Sequence, residues 1–356
     1  MGTHVRLVGD VFSMSHVKSF IFWRRRRFLT VFSVLVLLLT LAFLTHLSLG
    51  YRVMNPLEVL VSGVTQLVLG DLGIEGYRVL RALTAVIVGA TLALSGYLMQ
   101  LSTKNPLADP YILGVSSGAL FTVSLTLSLT SYLTHPLGIG VRSLTAFLGG
   151  LIAYSMTLFI ASRAGMTPTS LVLAGVAVGT FFYSASLLPQ YFISRDIHKL
   201  IAWSMGSFVS PSADVLVLLV SSLLLVASYV LFVRHPLNNL QVSDDFVRQL
   251  GRDPAKLRRY STLLASLTAS LTVAWFGVIG FVGLAAPHIS RRLLKTSDIA
   301  FVASASVVLG SLLLTSSDLL GKTLVSGVEI PVNVIASMIG APVLGLAILE
   351  LRKYGS

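Results

Sequence analysis

An all-α, polytopic membrane protein is the fold class that this 356-residue sequence predicts. Three observations carry it. Hydrophobic residues make up 54% of the chain and charged residues 11%, where an ordinary soluble domain holds about a quarter charged residues. Apolar runs recur that approach or reach the roughly 20 residues needed to cross a bilayer as a helix; the first, 28–49, contains no Asp, Glu, Lys or Arg. Between two of these runs stands a compact polar island, 240–254 (LQVSDDFVRQLGRDP). It reads as a handle on an otherwise membrane-bound body.

The N-terminal tail, 1–27, ends in Arg24, Arg25, Arg26 and Arg27. Basic residues followed by an apolar run resemble a signal peptide, but the run is too long and lacks a small-residue cleavage site before Tyr51, which predicts a retained first span. Ten apolar segments are then expected, near 28–49, 82–101, 111–131, 143–162, 169–190, 213–233, 261–280, 282–294, 299–320 and 332–351. They form one membrane domain, 28–351, interrupted by a polar segment at 238–260 and followed by a short tail, 352–356. The eighth segment is short and holds Pro287 and His288, as a broken or partial span protected by its neighbours would. An even count puts both termini on one side. With that side inward, most of the 26 basic residues fall on inner segments, among them Lys104, Arg163, Arg234, Arg248, Arg252, Lys256, Arg258, Arg259, Arg291 and Arg292. Arg52, Arg78, Arg81, Arg142, Arg195, Lys199 and Lys322 remain outside. This bias supports both termini lying inside.

Charge and motif content narrow the function. The net charge of +12 is gathered at span ends and not in a patch on a polar domain, so it speaks for lipid contact and against nucleic acid. No cysteine is present, which excludes thiolate metal sites and cysteine nucleophiles. Gly321-Lys322-Thr323 imitates the end of a phosphate-binding loop, but Ser316 stands where that motif needs glycine. His288 has no second His or acid one helical turn away, so metal binding is not expected, and no cofactor or catalytic constellation is expected either. Acids sit at span ends or in loops (Glu58, Asp71, Glu75, Asp109, Asp196, Asp214, Asp298, Glu329), with Asp318 nearest to an exception. An ionised residue at the bilayer centre costs roughly 2.5–3.5 kcal/mol on insertion scales, and ion-driven carriers accept that cost. Here the driving energy is expected to enter from outside the bilayer.

Three segments could carry mechanism. In the polar island Ser243 suits an N-cap, Asp244 and Asp245 complement the first-turn dipole, and Gly251 suits a C-terminal turn. Asp253 and Pro254 then start a second short helix, with Phe246, Val247 and Leu250 sharing one side. The alternative is an amphipathic connector lying on lipid. Asn105-Pro106-Leu107-Ala108-Asp109-Pro110 carries two prolines and predicts a stiff inner turn. In 280–292 glycines permit a sharp reversal before Pro287. Within the second span Gly89, Ala93 and Gly96 share a face suited to close helix packing.

In this order the segments resemble the permease subunits of the iron–siderophore, haem and vitamin B12 ABC importers, the FecCD-type or type II importer family. The resemblance runs from about Arg78 to Leu351. Its landmarks are Arg78-Val79-Leu80-Arg81, Ala93-Leu94-Ser95-Gly96, the Asn105–Pro110 turn, Leu173-Ala174-Gly175, Trp203-Ser204-Met205-Gly206-Ser207, Arg248-Gln249-Leu250-Gly251, Gly280-Phe281-Val282-Gly283-Leu284 with Pro287-His288, Glu329-Ile330-Pro331 and Ile339-Gly340-Ala341-Pro342.

It implies a ten-span permease, resembling the vitamin B12 importer's, paired with a second copy of itself or a homologous permease. Two cytoplasmic ABC ATPase subunits below and an extracytoplasmic substrate-binding protein above would complete the transporter. The resemblance further implies ATPase coupling through Ser243, Asp244, Asp245, Phe246, Arg248, Leu250, Gly251 and Arg252. It implies binding-protein docking on Arg78, Arg81 and Lys322, and a cytoplasmic gate at Asn105, Leu107 and Thr169. At Lys322 the family resemblance suggests arginine; lysine keeps the charge and loses bidentate geometry. Pro168 stands where a small hydroxyl residue is expected beside Thr169. An iron–siderophore is the first expectation for cargo, with haem or cobalamin next. The competing readings are an ion-coupled secondary carrier working without an ATPase and an intramembrane enzyme.

Overall fold

The computed structural model describes residues 14–354 except 51, 71, 131–138, 194–196 and 326, with backbone alone at 14–21, 130, 343–344 and 346–354. Arg6 and the rest of 1–13, Asp71, Arg195, Asp196 and residues 355–356 lie outside the described residues. Every described element is helical: α1 (Met14–Ser48), α2 (Pro56–Leu69), α3 (Ile74–Thr103), a 3₁₀ turn (Pro110–Leu113), α4 (Val115–Thr130), α5 (Ile139–Arg163), α6 (Pro168–Phe192), α7 (Ile197–Ser204), α8 (Ala213–Val242), α9 (Asp244–Gln249), α10 (Pro254–Phe276), α11 (Val282–Leu294), α12 (Ile299–Thr323) and α13 (Val332–Tyr354). Among the described residues six helices (α1, α3, α5, α6, α8 and α12) are long and apolar enough to cross a membrane.

Each expected apolar segment coincides with a helix, and the differences have local causes. α1 begins at Met14, so the tail is helical well before the arginines. α2 was not anticipated: its 14 residues are too few for a span, yet Asn55 caps it, Pro56 opens it and Gly70 closes it in the left-handed region. α8 runs through Pro236 to Val242, beyond the expected 233. The second helix of the polar island is the start of the 23-residue α10, with no break at the membrane entry.

α3 is the axis of the bundle. Its most apolar window is 83% buried, whereas that of α1 is 6% buried and faces outward. Lipid gives helices no hydrophobic reason to associate, so close packing must do it. Gly89 of α3 lies on the backbone of Gly310 in α12, and Gly96 on the backbone of Gly283 in α11. Ser95 and Thr268 Oγ atoms meet at 2.6 Å between α3 and α10. A second packet is formed by α4, α5 and α6, where Gly118 meets Gly149 and Thr122 Oγ1 donates to the Thr145 carbonyl at 2.8 Å. α10 lies between the packets. Ser261, Thr262, Ser266, Thr268, Ser270 and Thr272 are all fully buried on it, which lowers its hydropathy without adding charge.

The reversal before α11 is made by Phe281, whose φ of 65° is left-handed; the glycines around it do not supply that turn. Phe281 is held by the Ala285 N–H bond to its carbonyl, 2.7 Å, and by Gly340 packed against its ring.

A methyl group on Gly96 would overlap the Gly283 backbone. Gly96→Ala is expected to lower stability by about 1–3 kcal/mol, the cost of overpacking. Gly140→Ala, with open space around it, should stay within about 0.5 kcal/mol. Thermal unfolding in detergent compares the two, and equal melting temperatures would contradict the close packing.

Candidate functional site

Most of the expected site residues gather at the two ends of α3. At one end are the start of α1, the C-terminal ends of α3, α8 and α11, helix α9 and the start of α10. At the other are the end of α1, α2, the start of α3, the end of α12 and the segment leading to α13.

The end that carries α9 brings together two segments separated by well over a hundred residues. Ser243 caps α9, accepting from Phe246 N–H at 3.0 Å, and Gly251 takes the left-handed turn at φ 71°. Asp253 caps α10 by accepting from Ala255 N–H at 2.8 Å. The apolar residues of α9 divide: Val247 is buried, while Phe246 and Leu250 are exposed. Arg248 pairs with Asp245 at 2.8 Å on the exposed surface, and Arg252 is exposed.

Asp244 points inward. Both of its oxygens receive the Arg258 guanidinium, at 2.6 and 2.7 Å, and Oδ1 also meets Lys104 Nζ at 2.9 Å. Arg258 is 1% exposed, and its Nε donates to the Ser102 carbonyl in the last turn of α3 at 3.1 Å. That carbonyl is one a helix C-terminus leaves without an intrahelical partner. The Arg258 hydrogen bonds, with Lys104 beside them, hold the Asp244 carboxyl well below the usual carboxylate range. Lys104 stands at the end of α3 with φ 49°, next to Asn105. The Asn105 side chain accepts from Leu107 N–H at 2.9 Å, stiffening the turn, and Asp109 caps the 3₁₀ turn that follows. Thr169 lies exposed in the first turn of α6. Among the described residues no hydrogen bond joins it to Asn105 or Leu107.

The opposite end holds a buried ionic network. Arg81 grips Asp318 with Nε and Nη2, both at 2.9 Å, and reaches Glu329 with Nη1 at 3.0 Å. His46 Nε2 lies 2.8 Å from Asp318 Oδ2. Lys322 Nζ donates to the His46 carbonyl at 2.7 Å and lies 3.2 Å from its Nδ1. The His46 ring thus stands between Asp318 and Lys322. Arg78 donates to the carbonyls of Leu47, Ser48 and Arg52.

Arg78, Arg81 and Lys322, the three expected docking residues, thus share one end of the bundle. Arg78 and Arg81 are only 8% and 5% exposed, and their guanidinium groups are occupied within the chain. Arg81, Asp318 and Glu329 border a cleft of about 350 Å³ together with His198, Met205 and Pro331. Among the described residues no cluster of three or more His, Asp or Glu is placed to hold a metal ion.

Sequence reasoning missed Lys104 and Arg258 as a unit with Asp244, and His46 as the partner of Asp318. The signal for the second pair was available: an Asp inside a span needs a partner, and His46 is the lone ionisable residue within the first apolar run.

The described helices, six of them long and apolar enough to cross a membrane, make this an all-α integral membrane protein. Residues 37–350 match the FecCD transport family, and the chain belongs to that family. It is 35% identical over 282 residues to the hemin transport system permease of Yersinia pestis, covering 78% of this chain and 84% of the relative. It is 33% identical over 322 residues to the vitamin B12 import system permease of Klebsiella pneumoniae (90% and 94%). The Fe(3+)-citrate import system permease of Bacillus subtilis is 30% identical over 329 residues (90% and 96%). Among solved structures, one of an inward-facing metal-chelate type ABC transporter superposes with a TM-score of 0.77 at 26% identity, covering 90% of this chain and 99% of that one.

Two outcomes follow from this geometry. Arg81→Met leaves Asp318 buried without its main partner and is expected to cost about 3–5 kcal/mol, most of it recovered in Arg81→Met/Asp318→Leu; thermal unfolding of both reads this. Asp244 has a depressed carboxyl, so its stabilisation is complete above the unfolded pKa of about 3.9 and is lost only as pH falls through the folded value. The melting-temperature gap between wild type and Asp244→Asn should therefore stay constant from about pH 8 to about pH 5. A gap that shrinks across this range would mean that the clamp is not formed.

Proposed function

We propose that this chain is the membrane-spanning permease subunit of a binding-protein-dependent ABC importer for a metal chelate. The observation that carries this reading is α9, a six-residue helix bonded to the bundle by Asp244 while Phe246 and Leu250 face outward. A passive connector would lay those two residues on lipid beside the body, but they sit on a helix whose charged surface, Asp245 with Arg248, is exposed as well. Such a mixed surface suits a soluble protein partner. Two cytoplasmic ATPase subunits would press on α9 from both halves of a dimer, formed with a second copy or a homologous permease. Their ATP-driven closure would re-aim packed helices as rigid bodies, and the turn at Asn105 and Leu107, with Thr169, would change state.

An iron–siderophore is the proposed cargo, because several named relatives carry iron chelates. Haem and cobalamin are the other members of the class. The extracytoplasmic binding protein would dock at the end that holds Arg78, Arg81 and Lys322, with the cleft beside Arg81 open to it. An ion-coupled carrier is disfavoured by Asp318. Its carboxylate is clasped on both oxygens by Arg81, which leaves it no free site to load and release an ion.

Deleting 243–251 is expected to abolish ATP-driven uptake while the permease still inserts and dimerises. Uptake in proteoliposomes, with co-purification of the ATPase subunits as a second readout, tests this. Cargo accumulation by liposomes holding this polypeptide alone, without nucleotide, would overturn the proposal.

A further inference from the structure

The turn beside Asn105 contains a residue that local structure does not favour. Lys104 ends α3 at φ 49°, the left-handed conformation that side chains with a Cβ enter at a cost and glycine enters freely. Strain kept at one residue is a reason to ask what its side chain does. Here the Lys104 amine reaches 2.9 Å to Asp244 on α9. Asp244 is also held by Arg258 of α10, and Arg258 in turn holds the Ser102 carbonyl of α3. The two cations act on different parts of the chain: Arg258 grips the last turn of α3, whereas Lys104 is the turn residue itself, bonded covalently to Asn105.

We infer that the Lys104–Asp244 pair is a tie-rod that carries displacement of α9 to the Asn105–Leu107 turn. Lys104 and Asp244 are positioning residues in this scheme, and neither touches cargo. The inference rests on the reading of α9 as the surface on which the ATPases press. Without the tie, motion of α9 would reach the bundle through α8 and α10, the helices that flank it in sequence, and through the grip of Arg258 on α3. The turn would then lag behind. With it, the turn moves together with α9, because the ammonium sits on the pivot and the carboxylate sits in the first turn of the helix being pushed.

The chain has no cysteine, so Leu107→Cys adds the only thiol on this subunit. Maleimide labelling of that thiol is measured on the transporter assembled with its ATPase subunits in lipid nanodiscs, with and without ATP and vanadate. With Lys104 intact, nucleotide should change the labelling rate by about tenfold, within the usual range of coupling between sites. Lys104→Gly should remove that response while ATP hydrolysis continues and the melting temperature does not fall, since glycine suits the left-handed turn. Lys104→Arg, which keeps the charge, should restore the response. A full nucleotide response in Lys104→Gly overturns the inference, and so does a failure of Lys104→Arg to restore it. Absence of any response with Lys104 intact defeats the underlying reading of an ATPase-driven permease, and the tie-rod with it.

Discussion

A charge removed from water must find its partner inside the protein, and that requirement organises both ends of α3. Arg81 and Arg258 are the two arginines about which the ends are built. Both are buried and both make a bidentate grip on an aspartate; Asp318 comes from a helix distant in sequence, whereas Asp244 lies on α9, the helix just before α10. Between them α3 is packed through glycines and hydroxyls, which add no charge. The helix behaves as a strut whose ends are fixed by ion pairs and whose length is fixed by backbone contact.

The two ends differ in a way that matters for motion. The network of His46, Arg81, Asp318, Lys322 and Glu329 draws its members mainly from the long helices α1, α3 and α12. Arg81 and Asp318 are buried in it, and separating them would strand a buried charge, so this end resists rearrangement. At the other end a single carboxylate, on a six-residue helix, serves Arg258 and Lys104 together. α9 has a small buried surface, chiefly Val247. Val247 packs into the main apolar core, and Asp244 adds the ion pairs to Arg258 and Lys104. A helix fastened in this way can be displaced as a unit while staying tied to α3 and α10.

Much of this was legible in the sequence where the signal was local. Ser243, Gly251 and Asp253 have the short-range chemistry of caps and turns, and they take those roles because capping involves residues only a few positions apart. The expected segment at 282–294 coincides with α11, since Lys295 and the strained Phe281 bound it. What escaped depended on contacts far apart in sequence. The His46–Asp318 pair was signalled only by each being an ionisable residue inside an apolar run, and nothing near Asp244 selects Lys104 over the other basic residues. Arg78, Arg81 and Lys322, the expected docking residues, show the same limit. Their placement at one end follows from the alternation of spans, but the internal bonds of Arg78 and Arg81 depend on how α1 and α12 pack against α3. α2 escaped for another reason: a search for spans rejects short helices, even one whose Asn-Pro start and Gly end are plain.

The hydroxyl-rich face of α10 lets the two helix packets share one interior without adding charge. Thr262, Thr268 and Thr272 donate their hydroxyls to carbonyls of their own helix, so these side chains keep an acceptor however the neighbouring helices are set. Ser95 and Tyr154 use the same hydroxyls as additional partners across the interface. A contact of this kind is satisfied both when made and when broken, in contrast to the buried ion pairs at the ends of α3, where breakage leaves charge exposed to a poor solvent. Thr262, Thr268 and Thr272, whose hydroxyls are satisfied within α10, add no charge where α4 and α5 meet the α3 packet. The ion pairs meanwhile keep each end of the strut in register.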